Sequence, residues 1–248
     1  MESIIIKITK DKGSGNVKRL TVLDSLRGFF IINMVVYHAL WDLVYIHGVS
    51  MDWYRSAGAT AWQLSIRWAF VLLSGFCFCL GRKKLRRGLV VFGCSVAVSL
   101  VTVFLVPDAT ILFGVLCLLG FAMLVTVPLD KLFQKLPPAA GLIASGLLFV
   151  FCERFPWPRW LYANHLTAFF GFPHSGFFTT DYVPVFPWIF AFWMGYFLFG
   201  LVKKANLLRY FSAFRCPPLE WLGQRSLIIY MVHQPLLYGI FYLIFLLF

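Results

Sequence analysis

Long runs of apolar residues, separated by short polar stretches, dominate the chain after about residue 20. A helix that crosses about 30 Å of hydrocarbon needs roughly 20 residues, and seven runs approach that length. They cover residues 23–46, 57–80, 88–106, 110–130, 139–155, 184–202 and 226–248. Lipid offers the backbone no hydrogen-bond partner, and the alternating pattern of barrel strands is absent, so the runs are predicted to be helical. The pattern predicts an all-α, polytopic transmembrane helix bundle of about seven spans.

Composition agrees with this membrane class. Hydrophobic residues make up 60% of the 248 residues and charged residues 13%, whereas a soluble domain carries about a quarter charged residues. The 28 Phe and 9 Trp suit a body that faces lipid and has aromatic belts at its interfaces. We therefore expect a protein of the cell membrane, in contact with membrane lipid. Residues 20–248 are predicted to form a single membrane domain, preceded by a polar, Lys-rich cytoplasmic tail over residues 1–19.

The distribution of basic residues predicts the orientation of the spans. With the N-terminus inside, the inner segments hold 17 of the 22 Lys and Arg residues, and the outer segments hold only Arg55, Arg154 and Arg159. Such an asymmetry is typical of cytoplasmic loops. It also accounts for the net charge of +12 without a nucleic-acid partner, which no sequence motif supports. None of the six Cys has metal-site spacing, and we expect no bound metal.

Ionisable residues inside the first predicted span are candidates for function, because each costs about 2.5–3.5 kcal/mol to insert at a helix centre. Arg27 and His38 are eleven residues apart, which is about three turns and about 16 Å along one helix face. Asp42 follows His38 by one turn on that face, where a carboxylate orients the imidazole of a general base. The structural alternative is a boundary anchor at Arg27 and a polar pair between helices at His38 and Asp42.

Other polar residues in or beside the spans are further candidates. Arg67 falls near the middle of the second span and needs an anion, supplied either by an aspartate of this chain or by a ligand. Tyr230 and His233 share a face of the last span, where a polar residue of a helix bundle is the alternative to a substrate contact. Asp181 precedes the sixth span and is not explained by helix capping alone.

The outer loop over residues 156–183 is too long for a simple connector. Its nine aromatic residues fit an interfacial segment that rests in the lipid headgroups. They also fit a lid or a carbohydrate platform, because long loops in compact proteins are often functional. Both interpretations stay open at this stage.

Three groups of residues, in this order and spacing, carry a resemblance to a known family. They are Leu23-Asp24-Ser25-Leu26-Arg27-Gly28 with Met34 and His38, then Asp181-Tyr182 with Phe186-Pro187-Trp188, then Gly223-Gln224-Arg225-Ser226-Leu227 with Tyr230, His233 and Pro235. From about residue 19 onward the chain resembles the bacterial branch of the heparan-alpha-glucosaminide N-acetyltransferase family. The Arg and His of the first helix, with Ser74-Gly75-Phe76 in the next, are also similar to the wider integral-membrane acyltransferases that acetylate surface glycans.

This resemblance implies transfer of an acetyl group from cytoplasmic acetyl-CoA to an amine or hydroxyl of an extracytoplasmic glycan. By position, Arg27 would help to hold the CoA end of the donor, and His38 would deprotonate the acceptor. From their place in the chain, Asp42 is the candidate to orient His38, and Arg67 is a second candidate for donor binding. Asp181, Tyr230 and His233 are the candidates for contact with the acceptor. In the animal enzyme the catalytic His lies in the outer loop after the first helix, which points to His47 instead. Relatives have ten or more spans, so a missing wall of the site is a reason to expect a homo-oligomer.

Two other classes of function remain as alternatives. A transporter or flippase-like protein would use buried His, Asp and Arg residues as a proton relay or substrate path. An assembly or scaffold subunit would need no chemistry. Binding of acetyl-CoA separates the acyltransferase hypothesis from both.

Overall fold

The computed structural model describes residues 20–106 and 110–247. The predicted cytoplasmic tail over residues 1–19 lies outside them. Within the described residues the chain is all-α, as predicted, and has no strands. Its helices are α1 (Thr21–Tyr45), α2 (Ala57–Phe78), α3 (Lys84–Leu105), α4 (Val115–Phe133), α5 (Pro138–Arg154), α6 (His165–Phe170), α7 (Val185–Lys204), α8 (Pro217–Gln224) and α9 (Ser226–Leu247).

Each of the seven predicted spans coincides with a long helix. Six of them, namely α1, α2, α3, α4, α7 and α9, are long and apolar enough to cross a membrane, so a multi-pass protein is confirmed. The seventh, α5, has 17 residues and a length of about 25 Å. The count of about seven spans and the inside location of the N-terminus are not confirmed and stay predictions.

The start of α4 differs from the prediction, which placed a helix from residue 110. Phe113 has a φ of 59°, and Gly114 is extended and caps the helix. The Phe113 carbonyl accepts a hydrogen bond from the Val183 backbone at 3.0 Å. Residues 110–113 therefore pair with a distant loop instead of continuing α4, although they are as apolar as the helix itself.

The described residues fall into two compact units. The first unit runs to Phe70 and resumes at Leu207, so it contains α1, most of α2, α8 and α9. Its core is built on Ile31, Met34 and Ile66, against which Trp62 of α2 and Ile229 of α9 pack. Because α1 contacts α8 and α9 directly, its polar residues meet those of the C-terminal helices.

The second unit, Val71–Asn206, packs α3 on α4 and α5 on α7, and α4 also contacts α7. A polar junction joins three of these helices. Lys84 of α3 forms an ion pair with Asp130 of α4 at 2.7 Å. Tyr196 of α7 donates a hydrogen bond to the same carboxylate at 2.8 Å. The Asp130 carboxylate therefore has both an oppositely charged partner and a hydrogen-bond donor. Polar groups in such bundles are normally stabilised in this way.

The long segment after α5 is folded, with α6 at its centre. Asn164 and Thr167 form a reciprocal capping box at the start of α6. Tyr182 donates a hydrogen bond of 2.5 Å to the Ala168 carbonyl, and burial raises the pKa of Tyr182 to about 12. Trp160 and Phe178 remain 75% and 63% exposed. Both the interfacial interpretation and the lid or carbohydrate platform therefore stay open for this segment.

Candidate active site

One continuous helix carries the central candidate residues. Arg27, His38 and Asp42 all lie within α1, which runs without interruption from Thr21 to Tyr45. The predicted spacing along one helix face therefore applies to this structure. Arg27 is near the start of the helix, and His38 and Asp42 are near its end.

His38 meets a second imidazole from another helix. The rings of His38 and His233 have centroids 5.0 Å apart and planes inclined at 62°. His233 is buried and His38 is half-buried. The structure thus brings together two histidines that are 195 positions apart in the sequence.

The tautomer of His233 follows from its hydrogen bond. Its Nδ1 lies 2.6 Å from the backbone carbonyl oxygen of Tyr230, one turn earlier on α9. A carbonyl can only accept, so Nδ1 carries a proton. Pro235 lies next to this turn and cannot donate to the carbonyl of Met231. The sequence-predicted pair of Tyr230 and His233 is therefore held together through the backbone of one and the ring of the other.

Asp42 is bound by a residue that the sequence analysis did not single out. Only 1% of Asp42 is exposed, and its Oδ1 accepts a hydrogen bond of 3.3 Å from the side-chain amide of Gln234. Its Oδ2 has no hydrogen-bond partner among the described residues. The predicted orientation of His38 by Asp42 stays a prediction, because the carboxylate is hydrogen-bonded to Gln234 instead.

His47, the competing candidate for the base, lies just after α1. Its ring stacks on Phe245 of α9 with centroids 4.1 Å apart and planes inclined by only 6°. Its backbone N–H donates to the Asp42 carbonyl at 3.1 Å. The imidazole is also close enough to the Asp42 carboxylate to interact with it electrostatically. Both candidate bases are therefore neighbours of Asp42, one before it along the chain and one after it.

The two candidate donor-binding arginines also belong to the first unit. Arg27 forms an ion pair of 3.8 Å with Asp24, and its side chain is 18% exposed. Arg67 lies half-buried in α2. Five positions before it, Trp62 donates a hydrogen bond of 3.0 Å to Asn33 of α1. That bond fixes α2 against α1 and so sets the position of the Arg67 backbone.

Asp181 belongs to the second unit, where it lies beside the start of α4. Its Oδ2 is 2.8 Å from the position that a Cβ would take on Gly114, the N-cap of that helix. A carboxylate at a helix N-terminus is stabilised by the helix dipole. This location gives Asp181 a structural role, and its predicted part in substrate binding stays a prediction.

Gln234 and Asn33 are the polar residues that the sequence analysis missed. Each is an amide within an apolar helix, Asn33 in α1 and Gln234 in α9. A neutral amide gives a weaker signal than a charge, since it costs less to bury. The available signal was their position, because Gln234 directly follows His233 and Asn33 lies on the helix that carries His38.

The comparisons with known proteins place these residues in a family. A family model described as heparan-alpha-glucosaminide N-acetyltransferase, catalytic, matches residues 19–235. This range includes every candidate site residue named above. Searches of curated proteins and of solved structures gave no significant match.

Proposed function

The chain belongs to the heparan-alpha-glucosaminide N-acetyltransferase family, and from that premise we propose that it transfers an acetyl group from acetyl-CoA to a glycan. The acceptor group is an amine or hydroxyl on the extracytoplasmic side. Family membership and six apolar helices support a membrane acetyltransferase. The identities of the donor, of the acceptor and of the catalytic residues are our proposal.

The proposed reaction needs one proton transfer. The acceptor nitrogen or oxygen attacks the thioester carbonyl carbon, a new bond to the acetyl group forms, and the carbon–sulfur bond breaks. The proton lost by the acceptor passes to a base on the protein and then to the departing CoA thiolate. A positioned base contributes about 10²–10⁴-fold to such a rate.

The contact between His38 and His233 is the observation on which this proposal rests. Two imidazoles with centroids 5.0 Å apart, within helices that otherwise consist largely of apolar residues, form a pair of proton acceptors and donors. We assign the role of base to His38. His233, whose Nδ1 proton is bound by the Tyr230 carbonyl, is assigned with Tyr230 to the binding of the acceptor.

Asp42 supports the same assignment. A carboxylate that is 1% exposed, and one oxygen of which has no hydrogen-bond partner within residues 20–106 and 110–247, can accept a proton or a hydrogen bond in the reacting complex. His47 is the alternative base, because it also neighbours Asp42. Its close stacking on Phe245 restricts the ring, which is why we favour His38.

Arg27 and Arg67 are assigned to the donor. The ion pair between Arg27 and Asp24 is long, at 3.8 Å. It therefore leaves guanidinium N–H groups available for a phosphate, which arginine binds in a bidentate manner. Arg67 is assigned to the same ligand because a half-buried guanidinium within an apolar helix favours an anionic partner.

Acetyl transfer by the purified protein is the direct test. The full chain in detergent is incubated with radiolabelled acetyl-CoA and cell-envelope glycans, and label in the glycan is measured beside His38→Ala as the matched control. We expect labelled glycan and free CoA from the wild type, and about 10²–10⁴-fold slower labelling with His38→Ala. Uptake of a glycan into proteoliposomes, with no acetylated product, would instead support the transporter hypothesis.

A further inference from the structure

A short helix is held tightly against the beginning of α1. α8 packs on α1 at two glycines, where a Cβ on Gly28 would clash with the Leu219 backbone and one on Gly223 with the Asp24 backbone. Close approach of helices at small residues is the usual arrangement in membrane bundles. One face of α8, which includes Gly223 and the buried Glu220, is therefore fixed against α1.

The start of α1 also fixes where residues 207–225 lie relative to the membrane. This segment precedes α9 and contains α8. Thr21, the first residue of α1, donates a hydrogen bond of 2.6 Å to the Phe214 carbonyl. α9 begins at Ser226, directly after α8. Because α1 and α9 both qualify as membrane spans, residues 207–225 lie where two spans begin, which is the level of the lipid headgroups.

Three large aromatic side chains within residues 207–225 are more than half exposed. Tyr210, Phe214 and Trp221 are 55%, 58% and 53% exposed. Aromatic residues at a membrane boundary insert their rings among the headgroups. Their exposure at this level therefore indicates contact with lipid.

Arginines accompany two of these rings. The Arg209 guanidinium lies over Tyr210 at 4.8 Å, and that of Arg225 lies over Trp221 at 4.3 Å. Both arginines are exposed. A guanidinium that stacks on a ring keeps N–H groups free for an anion at its edge.

The charge of the segment is strongly asymmetric. Residues 207–225 contain three arginines and a single acidic residue, Glu220. Glu220 is buried, and Arg215 lies 3.9 Å from its carboxylate. Within residues 207–225, Arg209 and Arg225 therefore have no further acidic residue to offset their positive charge beside the exposed rings.

We propose that Arg209, Tyr210, Phe214, Trp221 and Arg225 form a basic aromatic surface that binds the headgroups of anionic phospholipids. Basic residues at a membrane surface attract anionic lipids, and the neighbouring aromatic rings contact the region below the phosphates. A soluble phosphate would use the two guanidinium groups but not the three rings. A phospholipid uses both sets, which is why we assign the surface to lipid.

The test compares lipid binding by two double variants of the full chain. Native mass spectrometry in a neutral detergent measures binding of phosphatidylglycerol and phosphatidylcholine to the wild type, to Arg209→Gln/Arg225→Gln, and to Lys131→Gln/Lys135→Gln. Both variants remove two exposed positive charges, but only the first alters the basic aromatic surface. Arg215 is retained in both, so the buried Glu220 keeps its partner.

We expect the wild type to prefer phosphatidylglycerol, and the arginine variant to lose about tenfold in affinity for it. The lysine variant should keep the preference, and Trp221→Leu should weaken it with the charge unchanged. Equal losses in both double variants would overturn the proposal, since the effect would then follow net charge alone. Displacement of phosphatidylglycerol by millimolar inorganic phosphate or CoA would also overturn it, in favour of a soluble ligand.

Discussion

Gln234 on α9 donates a hydrogen bond of 3.3 Å from its side-chain amide to Oδ1 of Asp42 on α1. The two residues are 192 positions apart and join the first long helix to the last. Asp42 is almost fully buried, so the amide replaces hydration that the carboxylate has lost. The bond also brings His233, which directly precedes Gln234, to the turn of α1 that carries His38.

Removal of this amide should destabilise the protein. In Gln234→Leu the buried carboxylate loses its hydrogen-bond donor, and we expect a loss of about 1–3 kcal/mol in the free energy of unfolding. Thermal unfolding in detergent measures it. Gln63→Leu, a change of the same type at a half-buried position in α2, is the control. Equal melting temperatures for the two variants would show that the bond to Asp42 adds nothing.

Alanine substitutions can decide whether His38 or His47 is the base. His38→Ala should lower the turnover of acetyl transfer by about 10²–10⁴-fold, because the acceptor then loses its proton acceptor. The affinity for acetyl-CoA, measured by equilibrium binding, should be retained. His47→Ala is the comparison and should cause a much smaller loss. The assignment fails where His47→Ala abolishes transfer and His38→Ala does not.

Arg27 is expected to contribute to donor binding. Arg27→Ala should raise the Kd for acetyl-CoA about tenfold, since it removes a charged hydrogen-bond donor to phosphate. The Kd of Arg27→Lys should lie between those of the wild type and Arg27→Ala, because lysine keeps the charge and loses the bidentate geometry. Calorimetric titration measures the three Kd values, with Arg55→Ala as an exposed control. An unchanged Kd in Arg27→Ala would leave Arg27 as a partner of Asp24 only.

The orientation predicted from the loop charges can be tested by labelling. In a background without the six native Cys, Leu85→Cys and Phe178→Cys place thiols at side chains that are 54% and 63% exposed in the wild type. A membrane-impermeant maleimide applied to intact cells should label position 178 and not position 85. Labelling of position 85 alone would reverse the orientation.

Helix positions were predictable because lipid imposes one simple rule, namely that an apolar run must satisfy its own backbone. The positions of α1 and α7 follow directly from that rule. The rule fails where local backbone pairing competes, as at residues 110–113, which bond to the loop near Val183. It also misses α8, which is only eight residues long and begins with two prolines.

The sequence could predict the relative positions of candidate residues within one helix. It could not predict the contacts between residues of different helices. Spacing could predict the relative positions of Arg27, His38 and Asp42, because all three lie on α1 and a helix has a fixed geometry. Their roles stay predictions. The contact between His38 and His233 depends on how α1 meets α9, which no local pattern specifies. For the same reason the partner of Asp42 emerged only from the structure, as the amide of Gln234.

The shortness of α5 has a consequence for the surrounding lipid. Its 17 residues, which the sequence predicts to span the bilayer, cover about 25 Å, whereas the hydrocarbon core is about 30 Å thick. Ile143, Leu147 and Val150 on this helix are more than half exposed. Acyl chains that meet these side chains must shorten or tilt to match the helix, because mismatch is relieved by local thinning. The bilayer beside α5 is therefore expected to be thinner than its surroundings and enriched in lipids with short chains.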